Sequence, residues 1–327
     1  MQRGKTAIPA IRGERILLTG GAGFIGTNLI RRLAAANELV VYDNLSRNGL
    51  ANLPAAIRRR LTVVPGDVLD GPALLAAAKG ATMVVHLAAI AGVDTVLRHP
   101  ARTMEVAMLG TYHAAQAALK QPRLKRFIDF STSEVFGQFA FQVQECDVTS
   151  LGAVGEARWT YAVSKLATEH LIHNYYKEHG LPAVSIRPFN IFGPGQIGGG
   201  AIKAFVEQAI RNRPLTINND GSQIRSWCYI DDIIDAICLA LVRRQAVGQA
   251  FNIGNPQSTI TTYNLALLVK EIARSRSRLV HVSNPNTDVE LRVPDIRKAR
   301  KLLGYAPAID LREGIRRTIL WYRGQSK

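Results

Sequence analysis

A chain of 327 residues that is 47% hydrophobic can bury a full core, and no apolar run in it is long enough to cross a bilayer. Its formal charge of +16, from 41 Lys plus Arg against 25 Asp plus Glu, falls in short basic groups such as Arg58-Arg59-Arg60 without interleaved aromatics. This pattern reads as solvated surface rather than a nucleic-acid site. Three separated cysteines, Cys146, Cys228 and Cys238, and seven scattered histidines offer neither a disulfide framework nor metal-ligand spacing. With no apolar signal core over 1–13, a reducing, cytoplasmic setting without a metal is expected.

From residue 14 to 132, short apolar runs alternate with helical stretches. Arg15-Ile16-Leu17-Leu18, Leu39-Val40-Val41-Tyr42, Leu61-Thr62-Val63-Val64, Met83-Val84-Val85-His86 and Phe127-Ile128-Asp129-Phe130 are nearly continuous, as strands buried on both faces would be. Helices are expected over 24–36, 72–79 and 100–120. This order predicts an α/β fold with a Rossmann-type, doubly wound parallel sheet. A further helix is expected from Tyr161 to about His179, stopped by Gly180 and followed by a buried strand, Ala183-Val184-Ser185-Ile186. Beyond it, glycine loops at 193–195 and 198–200 precede helices over 201–213, 231–243 and 262–275, separated by brief strands.

Gly21-Ala22-Gly23-Phe24-Ile25-Gly26 has GxGxxG spacing, follows a predicted strand and opens a predicted helix. Glycines there permit the tight turn and let backbone N–H groups approach a pyrophosphate at the positive end of the helix. Gly20, Gly23, Phe24, Ile25 and Gly26 are therefore candidate dinucleotide ligands. About twenty residues on, at the end of the second strand, Asp43 with Asn44 is placed for the adenosine ribose. Its carboxylate would repel a 2′-phosphate, favouring NAD, although Arg47 nearby could pair with one. Residues 1–185 would then form an NAD-binding lobe. Residues 186–327 would form a smaller C-terminal α/β substrate lobe, with part of 215–252 returning to the first.

Tyr161 and Lys165 lie four apart on a predicted helix, so both project from one face. An ammonium beside a phenol lowers its pKa, giving a base that takes a hydroxyl proton as hydride leaves the same carbon for nicotinamide. The fifth strand runs into Ser131-Thr132-Ser133-Glu134-Val135-Phe136-Gly137, which sets hydroxyls and one carboxylate at the same edge of the sheet.

These residues carry a resemblance. Thr19 to Gly26, Tyr42-Asp43-Asn44-Leu45-Ser46, Gly66-Asp67-Val68, His86-Leu87-Ala88-Ala89, the Ser-Thr-Ser-Glu-Val-Phe-Gly turn, Tyr161-Ala162-Val163-Ser164-Lys165 and Arg187-Pro188-Phe189-Asn190 resemble the extended short-chain dehydrogenase/reductase family of nucleotide-sugar epimerases, dehydratases and decarboxylases. The resemblance spans nearly the whole chain. It implies that Asp67 and Val68 meet the adenine and that Leu87, Ala88 and Ala89 line the cofactor. Thr132, Tyr161 and Lys165 would form the catalytic triad, with Tyr161 and Lys165 also touching NAD. Asn190 and Arg225 would hold the substrate diphosphate, with Arg292 beside them. It further implies a homodimer through a four-helix interface made by 100–120 and 161–179. Two departures stand out: Ala107 where the family commonly has Asn, and Phe136 where Tyr is usual.

Glu134 separates the branches, because a 4-keto group acidifies C5 and a carboxylate can exchange the C5 proton. Deoxysugar dehydratases often place Asp where this chain has Ser133. Thr132-Ser133-Glu134 is similar to UDP-glucuronate decarboxylases and also to GDP-mannose dehydratases, while Arg158-Trp159-Thr160-Tyr161 is similar to the decarboxylases. So is the segment Asp288-Val289-Glu290-Leu291-Arg292-Val293-Pro294-Asp295, in which Arg292 would serve the sugar carboxylate. The expected activity is NAD-dependent C4 oxidation and decarboxylation of UDP-glucuronate. A 4-epimerase, a 4,6-dehydratase and a catalytically silent NAD-binding scaffold are the alternatives.

Overall fold

The computed structural model describes residues 8–284 and 289–325. Seven strands form the central sheet: β1 (Arg15–Thr19), β2 (Glu38–Asp43), β3 (Leu61–Pro65), β4 (Met83–His86), β5 (Arg126–Phe130), β6 (Ala183–Pro188) and β7 (Gln249–Ile253). Their spatial order is 3-2-1-4-5-6-7, and every pairing is parallel. The chain starts mid-sheet at β1, winds outward to β3, then crosses back to β4. The strand order reverses between β1 and β4, and loops leaving adjacent strands in opposite directions open a crevice there.

Alternate residues of each strand face opposite layers. Leu18, Val41, Val85, Ile128 and Ile186 pack with α1 (Phe24–Leu33) and with the helix Ile230–Val242. Leu17, Val40, Val84 and Phe127 pack with α2 (Pro100–Leu119) and α3 (Thr160–His179). Gly180 ends α3 in the left-handed conformation, φ 68°, with N–H groups of Gly180 and Leu181 returning to the carbonyls of Tyr176 and Tyr175. The structure corrects the sequence reading at β3. Its run is nearly as apolar as the others, yet it lies at the sheet edge with only β2 as neighbour, and Val63 is 38% exposed.

A second sheet of four strands runs in the order Thr259–Thr261, Ile224–Ser226, Leu291–Pro294, Phe139–Val143. It sets Arg225 opposite Arg292, and Arg292 opposite Ala140. The strand Phe139–Val143 was not expected, because its outer face is apolar and the alternation that marks a half-buried strand is absent. Phe139 and Phe141 are 63% and 62% exposed while Ala140 between them is buried. Among the described residues no helix is long and apolar enough to cross a membrane.

Candidate active site

At the carboxyl ends of β1, β2 and β4 lies a cleft of about 600 Å3 lined by Gly20, Gly23, Phe24, Ile25, Gly26, Asp43, Asn44, Asp67, Val68, Leu87, Ala88 and Ala89. These are all the expected cofactor residues apart from Tyr161 and Lys165. Gly20 has φ +68°, and a Cβ on it would sit 2.6 Å from the backbone nitrogen of Ala88, so only glycine lets the turns after β1 and β4 close on each other. The amino terminus of α1 opens onto this turn with Gly23 as its cap residue, aiming free N–H groups at the cleft.

Asp43 is fixed by the loop it serves. Its carboxylate accepts the N–H of Ala22 at 2.9 Å and that of Leu45 at 2.7 Å. Burial raises its pKa, and these two bonds oppose the rise. Arg47 reaches the opposite rim, donating to Thr95 Oγ1 at 3.3 Å. Asp67 accepts from the Leu69 N–H at 3.0 Å and pairs with Arg102 at 2.7 Å.

Helical spacing puts Tyr161, Lys165 and Glu169 on one face of α3, and Lys165 is 1% exposed. Thr132 caps the short helix Ser133–Phe136 through Glu134 N–H to its Oγ1 at 3.2 Å. The expected depression of the Tyr161 pKa is not found among the protein's own groups. Burial raises it well above the ordinary value, the carboxylates of Glu134 and Asp129 add to the rise, and a hydrogen bond with Thr132 opposes it. Burial also pushes Lys165 down, against Asp129 and Glu169, which favour its charged form. Burial and two carboxylates thus govern the phenol, one of them, Asp129, not placed beside it by the sequence.

Glu134 is chelated. Arg158, buried against Trp159, donates to its two oxygens at 2.6 and 3.3 Å. Burial pushes the Glu134 pKa up, but Arg158, Arg292 and Arg225 together bring it below the ordinary value. Arg292, 2% exposed, donates to the carbonyl of Gly137, and Arg225 to that of Val289 at 2.9 Å. Asn190, at φ 30°, donates to the Ser226 carbonyl at 2.9 Å, tying the chain after β6 to the small sheet. Ser133 is buried beside Glu134. Asp288 lies outside the described residues.

Sequence reasoning noticed Arg158 only through resemblance, since a lone arginine before a helix has no signal of its own. Asp129 was passed over inside an apolar strand. The available sign was a carboxylate in a run otherwise suited to full burial. His86 likewise belongs to a buried network, its Nδ1 2.7 Å from Thr19 Oγ1 and its Nε2 3.1 Å from Thr111 Oγ1. Burial and the Lys165 charge lower its pKa to about 3, so it is a neutral imidazole.

A family described as the NAD dependent epimerase/dehydratase family matches residues 16–254. UDP-N-acetyl-alpha-D-glucosaminuronate decarboxylase of Bacillus cytotoxicus is 31% identical over 95% of this chain and 98% of its own length. UDP-glucuronic acid decarboxylase 3 of Arabidopsis thaliana is 33% identical over 92% of this chain and 86% of its own. Among solved structures, UDP-glucuronic acid 4-epimerase from Bacillus cereus, in complex with UDP-glucuronic acid and NAD, superposes with a TM-score of 0.84 at 28% identity, covering 95% of this chain and 99% of that one. With a Gly-loop cleft at the strand-order reversal, the chain belongs to the NAD dependent epimerase/dehydratase family and is an NAD-using enzyme of it.

Proposed function

We propose that this enzyme oxidises a UDP-uronate at C4 and decarboxylates it, with UDP-glucuronate as substrate and UDP-xylose or the UDP-4-keto-pentose as product. The observation that carries this reading is the convergence of Arg158, Arg225 and Arg292 on Glu134, one turn of chain from Thr132 and within electrostatic reach of Tyr161. Arginine clusters recognise carboxylates and diphosphates through paired, charge-assisted hydrogen bonds, and a UDP-uronate carries both. Two decarboxylating relatives at 31% and 33% identity support the same assignment.

In this mechanism Tyr161 takes the C4 hydroxyl proton, Thr132 shares it, and Lys165 holds the cofactor ribose and balances the phenolate. NAD held by the Gly20–Gly26 turn and Asp43 would supply the hydride acceptor. Arg292 grips the sugar carboxylate, and Asn190 and Arg225 the diphosphate. The C4 ketone accepts the electron pair of the C5–C6 bond as CO2 leaves. The enolate this leaves takes up a proton at C5, restoring the C4 ketone, from solvent water ordered by Ser133 and Glu134. Glu134, kept ionised by its arginines, orders that position as a hydrogen-bond acceptor.

Incubation with UDP-glucuronate and mass spectrometry of the product tests the reading: a product lighter by one CO2 is expected. A product of unchanged mass would make the enzyme a uronate 4-epimerase, the second reading, which the Bacillus cereus likeness favours. Loss of water would indicate 4,6-dehydration. Absence of any change in nicotinamide absorbance or product with any nucleotide sugar would leave only a silent scaffold.

The lobes divide, in this reading, into 1–185 for NAD and 186–327 for substrate, and β7 in the central sheet supports a return of part of 215–252. A homodimer is part of the proposal. α2 and α3 pack side by side and expose Met108 at 40%, Leu109 at 49%, Tyr112 at 43% and Val163 at 41%, an apolar face that a second copy would cover as a four-helix interface. Free cysteines, two of them buried, suit a cytoplasmic location.

A further inference from the structure

Behind the catalytic pair, four adjacent strands carry polar side chains in one lateral row: Thr19, His86, Asp129 and Ser185 are in register across β1, β4, β5 and β6. They are 0, 1, 0 and 5% exposed, and a single carboxylate, Asp129, stands among them. Residues in register on parallel strands point to the same face, here the one covered by α2 and α3. Ser185 Oγ donates to Asp129 Oδ2 at 3.1 Å, while Asp129 Oδ1 has no hydrogen-bond partner among the described residues. A fully buried carboxyl with one oxygen lacking a donor either takes up a proton or stays ionised beside a positive charge.

The groups packed around it narrow the source of that charge. β4 offers His86, a neutral imidazole bonded to Thr19 and Thr111. β6 offers Arg187, whose guanidinium is engaged by Glu169 of α3 at 2.7 to 3.0 Å. The turn after β5 offers Glu134, held by Arg158. α3 itself offers Tyr161, Glu169 and Lys165, of which only Lys165 is a cation.

We infer that Asp129 is a positioning residue for the reaction proposed above: its buried carboxylate, fixed by Ser185, holds Lys165 as an ammonium beside Tyr161. The inference rests on that reading of Tyr161 and Lys165. It accounts for an acidic residue in an otherwise apolar strand and for a lysine buried on the helix that covers the same face of the sheet. The two groups ionise as a couple: burial drives each toward its neutral form, raising Asp129 and lowering Lys165, and each opposes the drive on the other. Asp129 also raises the Tyr161 pKa. One carboxylate therefore displaces both limbs of the pH dependence, the acid limb through Tyr161 together with Glu134 and the alkaline limb through Lys165 together with Glu169.

The test is Asp129→Asn, nearly isosteric and uncharged, followed by kcat/KM for the uronate and by NAD affinity without substrate, both across pH. Removing the charge lowers the pKa of Tyr161 and of Lys165 alike. The whole bell-shaped profile is expected to move toward acid by about one pH unit, and NAD affinity should fall away at a correspondingly lower pH. Asp129→Glu, which restores the charge, should move both back. A profile reduced in height but unmoved along the pH axis, with an unmoved NAD midpoint, would overturn the inference, because a structural role predicts that result. If Asp129→Asn does not fold, Ser185→Ala should give the same displacement, smaller, and no displacement again overturns it. A wild-type protein that binds NAD but turns over no nucleotide sugar sinks the proposed reaction, while the NAD-binding arm still decides the role of Asp129.

Discussion

Arg158 decides what Glu134 can be. Without the guanidinium, burial would push that carboxylate toward its protonated form against only the pull of Arg292 and Arg225; with it, the folded pKa lies below the ordinary 4.5. A folded pKa below the unfolded one means a stabilisation that is complete above the unfolded value and lost as pH falls through the folded value. Arg158→Ala should therefore cost about 2 kcal/mol at neutral pH, a figure discounted from that of a fully buried pair because the Glu134 side chain keeps 23% of its surface. The penalty should shrink on acidification through that window, as Glu134 becomes neutral in both proteins. Thermal melts of wild type and variant at a series of pH values check it. A penalty constant from neutral to acid pH would show that Arg158 acts by packing on Trp159 rather than by charge.

At the scale of elements, the turn between β1 and α1 is the part of the site most rigidly specified. Gly20→Ala must accept both a left-handed φ and a Cβ 2.6 Å from the backbone of Ala88. Strain of this kind costs about 1–3 kcal/mol, and relieving it moves the two turns that form the floor of the cleft. NAD affinity is expected to fall by at least about tenfold, a factor that corresponds to 1.4 kcal/mol, while far-ultraviolet circular dichroism stays native. Unchanged affinity by titration calorimetry would show that the turns separate freely. These elements were legible in the sequence because each carries its own signal: apolar runs for β1 to β6, GxGxxG spacing for the turn, and Gly180 for the end of α3. The strand Phe139–Val143 carried none, since its exposed Phe139 and Phe141 erase the alternation.

At the scale of the whole molecule, distant segments meet. Residues 134, 158, 225 and 292 come from the turn after β5, the start of α3 and two strands of the small sheet, and their electrostatic convergence depends on the parallel pairing that puts Arg225 opposite Arg292. The same packing leaves the outer face of α2 apolar. Leu109→Asp, which puts a charge in the middle of the proposed four-helix interface, should give a monomer by light scattering after size exclusion, with the fold intact. A variant of the same mass in solution as wild type would remove that face from the interface.

Local patterns along the chain were enough for the cofactor class and for a doubly wound parallel sheet, though not for its strand order. Both follow from local rules, the glycine requirement of a turn that meets a pyrophosphate and the burial periodicity of strands and helices. The sequence also brought Tyr161 and Lys165 together, because four residues on a helix are neighbours wherever the helix lies. The protonation of those groups was decided only by the tertiary structure. A pKa depends on burial and on nearby charges, and here these come from Asp129, Glu134 and Glu169, brought in from β5, from the turn after it and from the next turn of α3. Register across the sheet, which no local spacing encodes, set Asp129 level with His86 and Ser185.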